Sequence, residues 1–244
     1  MKTIIPLVFL ALLFSCNSPK KKKDTQIIEV NYVENAPIID GLAIEYFWNL
    51  IEWHSLDQNW KGELYGENDF NGRYKLAWNQ EALYILVEIK DDSLFNRSQD
   101  PLKLWWNDDS VRVFVDEDNS GGLHQYSHNA FAYHVGLDGN VVDLGLDKKP
   151  KLYNENVRSS RTTKGNLSTW EVAVKIFDDS YQDDTINNPV KLTSNKKLGF
   201  ALAYYDKDQS MEQENFIGSV YVSNEKRNQE WINADIFGTL VLKK

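Results

Sequence analysis

Run after run of this chain places an apolar residue at every second position. Residues 83–90 (LYILVEIK) set Leu83, Ile85, Val87 and Ile89 on one face, and residues 111–116 (VRVFVD) set Val111, Val113 and Val115 against Arg112 and Phe114. Residues 131–135 alternate Phe131, Tyr133 and Val135 with Ala132 and His134. The segments 170–176, 198–205 and 237–242 repeat the habit. A period of two is the signature of strands with one buried face. Turn-forming clusters separate the runs: Ser120-Gly121-Gly122, Asp138-Gly139-Asn140 and Lys164-Gly165-Asn166. One stretch breaks the rule, because Ile44, Phe47, Trp48 and Ile51 fall at helical spacing after Asp40-Gly41. The pattern predicts an all-β fold, an antiparallel β-sandwich of jelly-roll-like form with one or two short helices. Most aromatic residues are expected to be core or edge packing.

The N-terminus follows different rules. Met1-Lys2 precedes an apolar run from Ile4 to Phe14, and Leu13-Phe14-Ser15-Cys16 ends it with the only cysteine of the 244 residues. The run has signal-peptide length and falls short of a bilayer span. It resembles the lipobox of bacterial lipoproteins, which implies cleavage before Cys16 and acylation of that residue. The expected organisation is therefore a signal peptide over 1–15, lipidated Cys16 with a flexible tether to residue 26, and one domain over 27–244. The chain is expected to be exported and anchored, at the outer membrane. No acidic run follows Cys16, which favours the periplasmic side. The tether's four lysines, Lys20 to Lys23, read as a solvated spacer with some attraction for anionic lipid.

The formal net charge is −9, and five of the 27 basic residues lie in the leader and tether, so the domain itself is more acidic still. Such a surface repels nucleic-acid phosphates. Neutral ligands and cations suit it better.

Among eight tryptophans, Trp48 and Trp170 sit in apolar patterns and read as structural. Trp105-Trp106 and Trp231 stand in polar loops, before the strands at 111–116 and 237–242. An indole presented from a polar loop offers a flat apolar face on which the C–H face of a sugar ring can stack.

At this point the chain resembles the family 9 carbohydrate-binding modules. The resemblance rests on Asp40-Gly41 with Trp48, LAWNQEALYILVEIKDD (76–92), WWNDDSVRVFVDEDNSGG (105–122), GFALAYYDKDQ (199–209) and EWINADIFGTLVL (230–242). It covers nearly all of 30–243. It implies a β-sandwich that holds a sugar between two tryptophans, matching Trp106 and Trp231, with structural calcium. It also implies a glutamate where this chain has Arg112, an arginine near Ala132, and a polar contact at His134. The stacking platform is retained while the hydrogen-bonding set is rewritten. Arg112 is expected to bridge vicinal hydroxyls, or an acidic sugar, with its planar fork.

The expected function is non-catalytic carbohydrate binding in support of glycan-degrading enzymes or uptake. Asp116, Asp118 and Ser120 alternate oxygen side chains before a glycine, as at the start of an EF-hand loop, and are candidate calcium ligands. Ser127 stands where that motif would close with glutamate. His124 and His128 are four apart, with His134 further on, but a glycine-rich polar loop and not a helix is expected there, and no glutamate follows the first histidine as in a zinc enzyme. No pair of carboxylates is singled out for glycoside hydrolysis, and no nucleotide or nucleophile-elbow motif occurs. No organic cofactor is expected. An alternative is haem-based electron transfer, since related sandwich domains use methionine and histidine or lysine as axial ligands. It would rest on Met211.

Overall fold

A computed structural model describes residues 26–66, 69–96, 100–207 and 215–244. Cys16, the tether through residue 25 and Met211 lie outside the described residues. The strands in chain order are β1 (Ile27–Tyr32), β2 (His54–Leu56), β3 (Gln58–Lys61), β4 (Phe70–Trp78), β5 (Leu83–Asp91), β6 (Ser110–Asp116) and β7 (Phe131–Gly136). There follow β8 (Val141–Leu144), β9 (Pro150–Leu152), β10 (Val157–Lys164), β11 (Leu167–Val174), β12 (Lys197–Asp206), β13 (Asn215–Gly218) and β14 (Gly238–Lys243).

Hydrogen bonds link them in the order β10-β11-β5-β4-β1-β14-β12-β6-β7-β8-β9, with β2 beside β4 and β13 between β12 and β3. Pairing is antiparallel except at β1, which runs parallel to both β14 and β4. This sheet folds into the expected sandwich. The half containing β11, β5 and β4 faces the half containing β12, β6 and β7 across one apolar core. Phe70 stacks on Tyr204 at 5.6 Å between the halves, and Tyr74 meets Phe200 at 6.4 Å. The alternating residues fill this core: Leu83, Ile85, Val87 and Ile89, Val111, Val113 and Val115, and Phe131, Tyr133 and Val135.

The outer faces are covered differently. On the first half, Val33, Ile39 and Trp48 lie over Ala77, Tyr84 and Leu86. The stretch with helical spacing forms only a 3-10 turn over Tyr46–Leu50, flanked by extended residues at Glu45 and Ile51. Trp48 is buried, whereas Ile44 is 73% exposed. Two backbone bonds hold the turn, Trp48 N to the Glu45 carbonyl at 3.1 Å and Ile51 N to the Trp48 carbonyl at 3.4 Å, and side chains add to them. Buried Glu171 accepts from the backbone of Gly41 at 2.9 Å and of Asp40 at 3.3 Å, and from Trp48 Nε1 at 3.3 Å. On the second half, Phe114, Ala132, Ala203, Tyr205 and Phe216 form a smaller apolar cluster beneath the loops. That face holds the candidate site.

Candidate carbohydrate site

The strand period aims the site. With Val111, Val113 and Val115 committed to the core, Arg112 and Phe114 must point the other way. Arg112 sits across from His134 on β7 and from Ala203 on β12, so a small neighbour leaves room for a long side chain. Its Nε donates to Ser110 Oγ at 3.1 Å. The guanidinium carbon lies 4.8 Å from the ring centre of Trp231, 5.3 Å from Tyr205 and 5.6 Å from Trp105. Arg112 is fully buried, yet neither Nη1 nor Nη2 has a hydrogen-bond partner. Burial lowers its pKa to about 9, against the pull of Tyr205, Asp143 and Glu230.

Two loops bring the indoles to this charge. Trp105 opens a 3-10 turn (Trp105–Asn107) entered through Leu104, whose φ of 54° is left-handed. Its ring meets His134 edge-on at 5.4 Å. Trp231 stacks on Phe216 at 5.7 Å, with rings 8° from parallel, and packs edge-on against Phe114. Both indoles line a narrow cleft with Ala132, Tyr126, Asp143 and Leu144. Burial raises the Asp143 carboxyl to about 6, although it accepts from the backbone of Ala132 and Leu144. His134 is held well below the usual histidine range, first by burial and then by the Arg112 charge, and its Nδ1 is unpartnered. Beside Trp231, the Glu230 carboxylate is wholly buried and neither of its oxygens has a hydrogen-bond partner.

The Trp231 loop is braced by the acidic turn that follows β6. Leu123 bridges to Asn233, Ala234 N donates to the Gly122 carbonyl at 2.8 Å, and His124 Nε2 meets the Glu230 carbonyl at 2.9 Å. Gly121, at φ +72°, is the tight point, because an added Cβ would fall 2.3 Å from Asp235 Oδ1.

A family model described as carbohydrate family 9 binding domain-like matches residues 39–244. This chain belongs to that family. Endo-1,4-beta-xylanase A of Thermotoga neapolitana is 25% identical over 210 residues, which cover 85% of this chain and 17% of the xylanase. The chain thus spans under a fifth of that relative's length. The family 9 module of Caldicellulosiruptor kristjanssonii in complex with cellotriose superposes with a TM-score of 0.64 at 21% identity, covering 89% of this chain and 94% of that one. The same module in complex with glucose gives 0.64 at 20% identity, covering 89% and 96%.

For a family 9 domain, three features of the structure bear on the expected site. The indole paired with Trp231 across Arg112 is Trp105. Trp106 is half exposed and meets Trp105 edge-on at 5.7 Å. Neighbouring residues in a 3-10 turn point in different directions, so adjacency in sequence could not say which ring faces the site. Second, Glu230 is wholly buried and lies within the field of Arg112.

Third, the oxygens of Asp116 and Asp118 are engaged within their own turn. Asp116 accepts from Gly121 N at 2.8 Å and Asp118 N at 3.3 Å, and Asp118 accepts from Ser120 N at 2.9 Å. A different trio is brought together. Asp91, Asp109 and Asp206, all buried, present carboxylate oxygens within 4.8 Å of one another. They end or precede β5, β6 and β12, far apart in sequence, and only the fold joins them. These oxygens too accept hydrogen bonds, Asp91 from Tyr204 Oη at 2.6 Å and Asp109 from Lys207 N at 2.7 Å, but three hard anionic oxygens brought together are a donor set suited to Ca²⁺.

Proposed function

We propose that this domain binds an uncharged carbohydrate without transforming it, stacking a sugar ring against Trp105 and Trp231 above Arg112. The observation that carries this reading is the guanidinium itself. A buried cation with unpartnered donors is costly unless a ligand completes its hydrogen bonds. The indoles on either side supply the apolar platform that the C–H face of a sugar requires. Sugar hydroxyls supply the missing acceptors. The cellotriose and glucose complexes of the Caldicellulosiruptor kristjanssonii module and the xylanase relative support a plant-type glucan or xylan as the ligand. The test is calorimetric titration with cellotriose, xylotriose and glucose, on the wild type and on variants lacking each indole. Absence of heat with every neutral oligosaccharide on a broad glycan array would end the reading.

The haem alternative draws no support from these matches, and its ligand Met211 lies outside the described residues. The leader supports an exported, lipid-anchored module working beside glycan-degrading enzymes or uptake proteins. Fatty-acid labelling of the wild type against Cys16→Ser reads that expectation directly.

Calcium, implied by the family resemblance, fits the Asp91, Asp109 and Asp206 trio. Neutralising three buried carboxylates would support the fold and not the chemistry of binding. Calcium at about a hundred times its Kd contributes ~2.7 kcal/mol, or about 5–10 °C in Tm for a chain of this size. Adding calcium to chelator-treated protein should raise Tm by that amount, and Asp109→Asn should blunt the response. Identical melting curves with and without chelator would remove the metal from the account.

A further inference from the structure

Arg112 and Glu230 form an unusual pair. Each is fully buried, each keeps two unpartnered side-chain atoms, and each lies against Trp231, Arg112 beneath the ring and Glu230 as its chain neighbour. They sit in one another's field, yet no ion pair of 4.0 Å or less joins them. The backbone N–H of Glu230, the Trp231 indole, the Arg112 charge and the backbone N–H of Gln229 all temper the upward push of burial on the Glu230 carboxyl, although none of the N–H groups is aligned as a full hydrogen bond. A donor and an acceptor without protein partners therefore lie close to the same indole.

We propose that Glu230 is the specificity-determining residue of this site. It accepts a hydrogen bond from a sugar hydroxyl whose oxygen accepts from Arg112, and so selects hydroxyl-bearing, uncharged sugars over uronic acids. This rests on the carbohydrate reading of the preceding section. The chemistry is that of hydroxyls. An O–H group donates and accepts at once, so one hydroxyl, or two adjacent ones, satisfies both stranded groups. A ligand carboxylate satisfies only the guanidinium. It also meets the Glu230 charge in a buried setting, where like charges are strongly unfavourable. Arg112 alone would favour an acidic sugar; Glu230, with Asp143 also in the guanidinium's field, reverses that preference. Because both groups are covered, a hydroxyl reaches them only when the Trp231 or Trp105 loop yields. Ligand contact with Glu230 is thereby coupled to movement at the platform.

The experiment is a selectivity ratio. Wild type, Glu230→Gln and Glu230→Leu are each titrated with cellotriose, xylotriose, glucose and glucuronate, after a cooperative melting curve is verified. Wild type should prefer glucose to glucuronate by at least about tenfold. Glu230→Gln removes the charge and keeps an acceptor oxygen. It should lower the glucose-to-glucuronate ratio about tenfold while costing only a few-fold in neutral-sugar affinity. Glu230→Leu removes the acceptor and should cost about tenfold or more in neutral-sugar affinity. A merely supporting role for Glu230 would weaken all four ligands alike and leave the ratio unmoved. An unchanged ratio in Glu230→Gln overturns the proposal even if Glu230→Leu fails to fold, and leaves the carbohydrate reading standing. If wild type binds none of the three neutral sugars, the carbohydrate reading fails and this proposal with it.

Discussion

Trp231→Ala should weaken binding of a neutral oligosaccharide by about 10- to 100-fold, and Trp105→Ala by a similar factor. Removing a stacking aromatic at the centre of a recognition site costs about 1–3 kcal/mol. Trp231 carries the larger share, because its far face rests on Phe216 and its edge on Phe114, so the ring is held ready for a ligand. Its loss also uncovers Arg112 and Glu230 to water, which then competes with the sugar for both. Trp106→Ala is the control. Its half-exposed ring stands outside the Arg112 cluster, so it should change affinity by less than about 0.5 kcal/mol. Isothermal titration of the three variants decides the matter. If Trp106→Ala abolishes binding and Trp105→Ala does not, the platform has been assigned to the wrong neighbour.

Gly218→Ala should lower stability by about 3 kcal/mol, which for a chain of this length is a Tm loss of roughly 6–12 °C. The position closes β13, and an added Cβ would fall 2.0 Å from Trp60 Cε2 and 2.3 Å from Cζ2. Trp60 cannot easily give way. It is 2% exposed, its Nε1 donates to the Val220 carbonyl at 2.8 Å, and its ring meets Phe216 edge-on at 5.2 Å and Phe114 at 6.0 Å. Phe216 is the ring under Trp231, so the strain should reach the site. A second effect is therefore expected, weaker sugar binding at temperatures where the variant remains folded. Differential scanning calorimetry with titration at 15 °C measures both. A Tm within 2 °C of wild type would mean that Trp60 has room to shift.

These effects also show what could be read in advance. β5, β6, β7, β11, β12 and β14 were legible because each has a face committed to the inter-sheet core, and burial on one face forces alternation. β10 was not. It pairs only with β11, its sequence VRSSRTTK is polar, and most of its residues remain partly or wholly exposed. An edge strand held by backbone pairing leaves little trace in hydrophobicity. The helical spacing around Trp48 announced a short helical turn, though not that it is 3-10 and pinned by Glu171 around one buried tryptophan.

At the site, the outward aim of Arg112 and His134 follows from alternation alone. The choice between Trp105 and Trp106 depends on the left-handed Leu104, which no pattern announces. Glu230 was invisible because its burial is conferred by a loop held from a distance by residues 122–124. The aspartate trio was invisible for a related reason, since its members belong to three separate strand ends.

The parallel seam around β1 has a mechanical consequence. From Ile27 to Asn31 this strand is bonded along its length to β14, and at Asn31 and Tyr32 to β4. A pull on the chain upstream of Ile27 would load these ladders in shear, so several hydrogen bonds must give way together instead of parting one by one. A protein moored at that end and gripping an immobile polymer would transmit tension through its most resistant geometry.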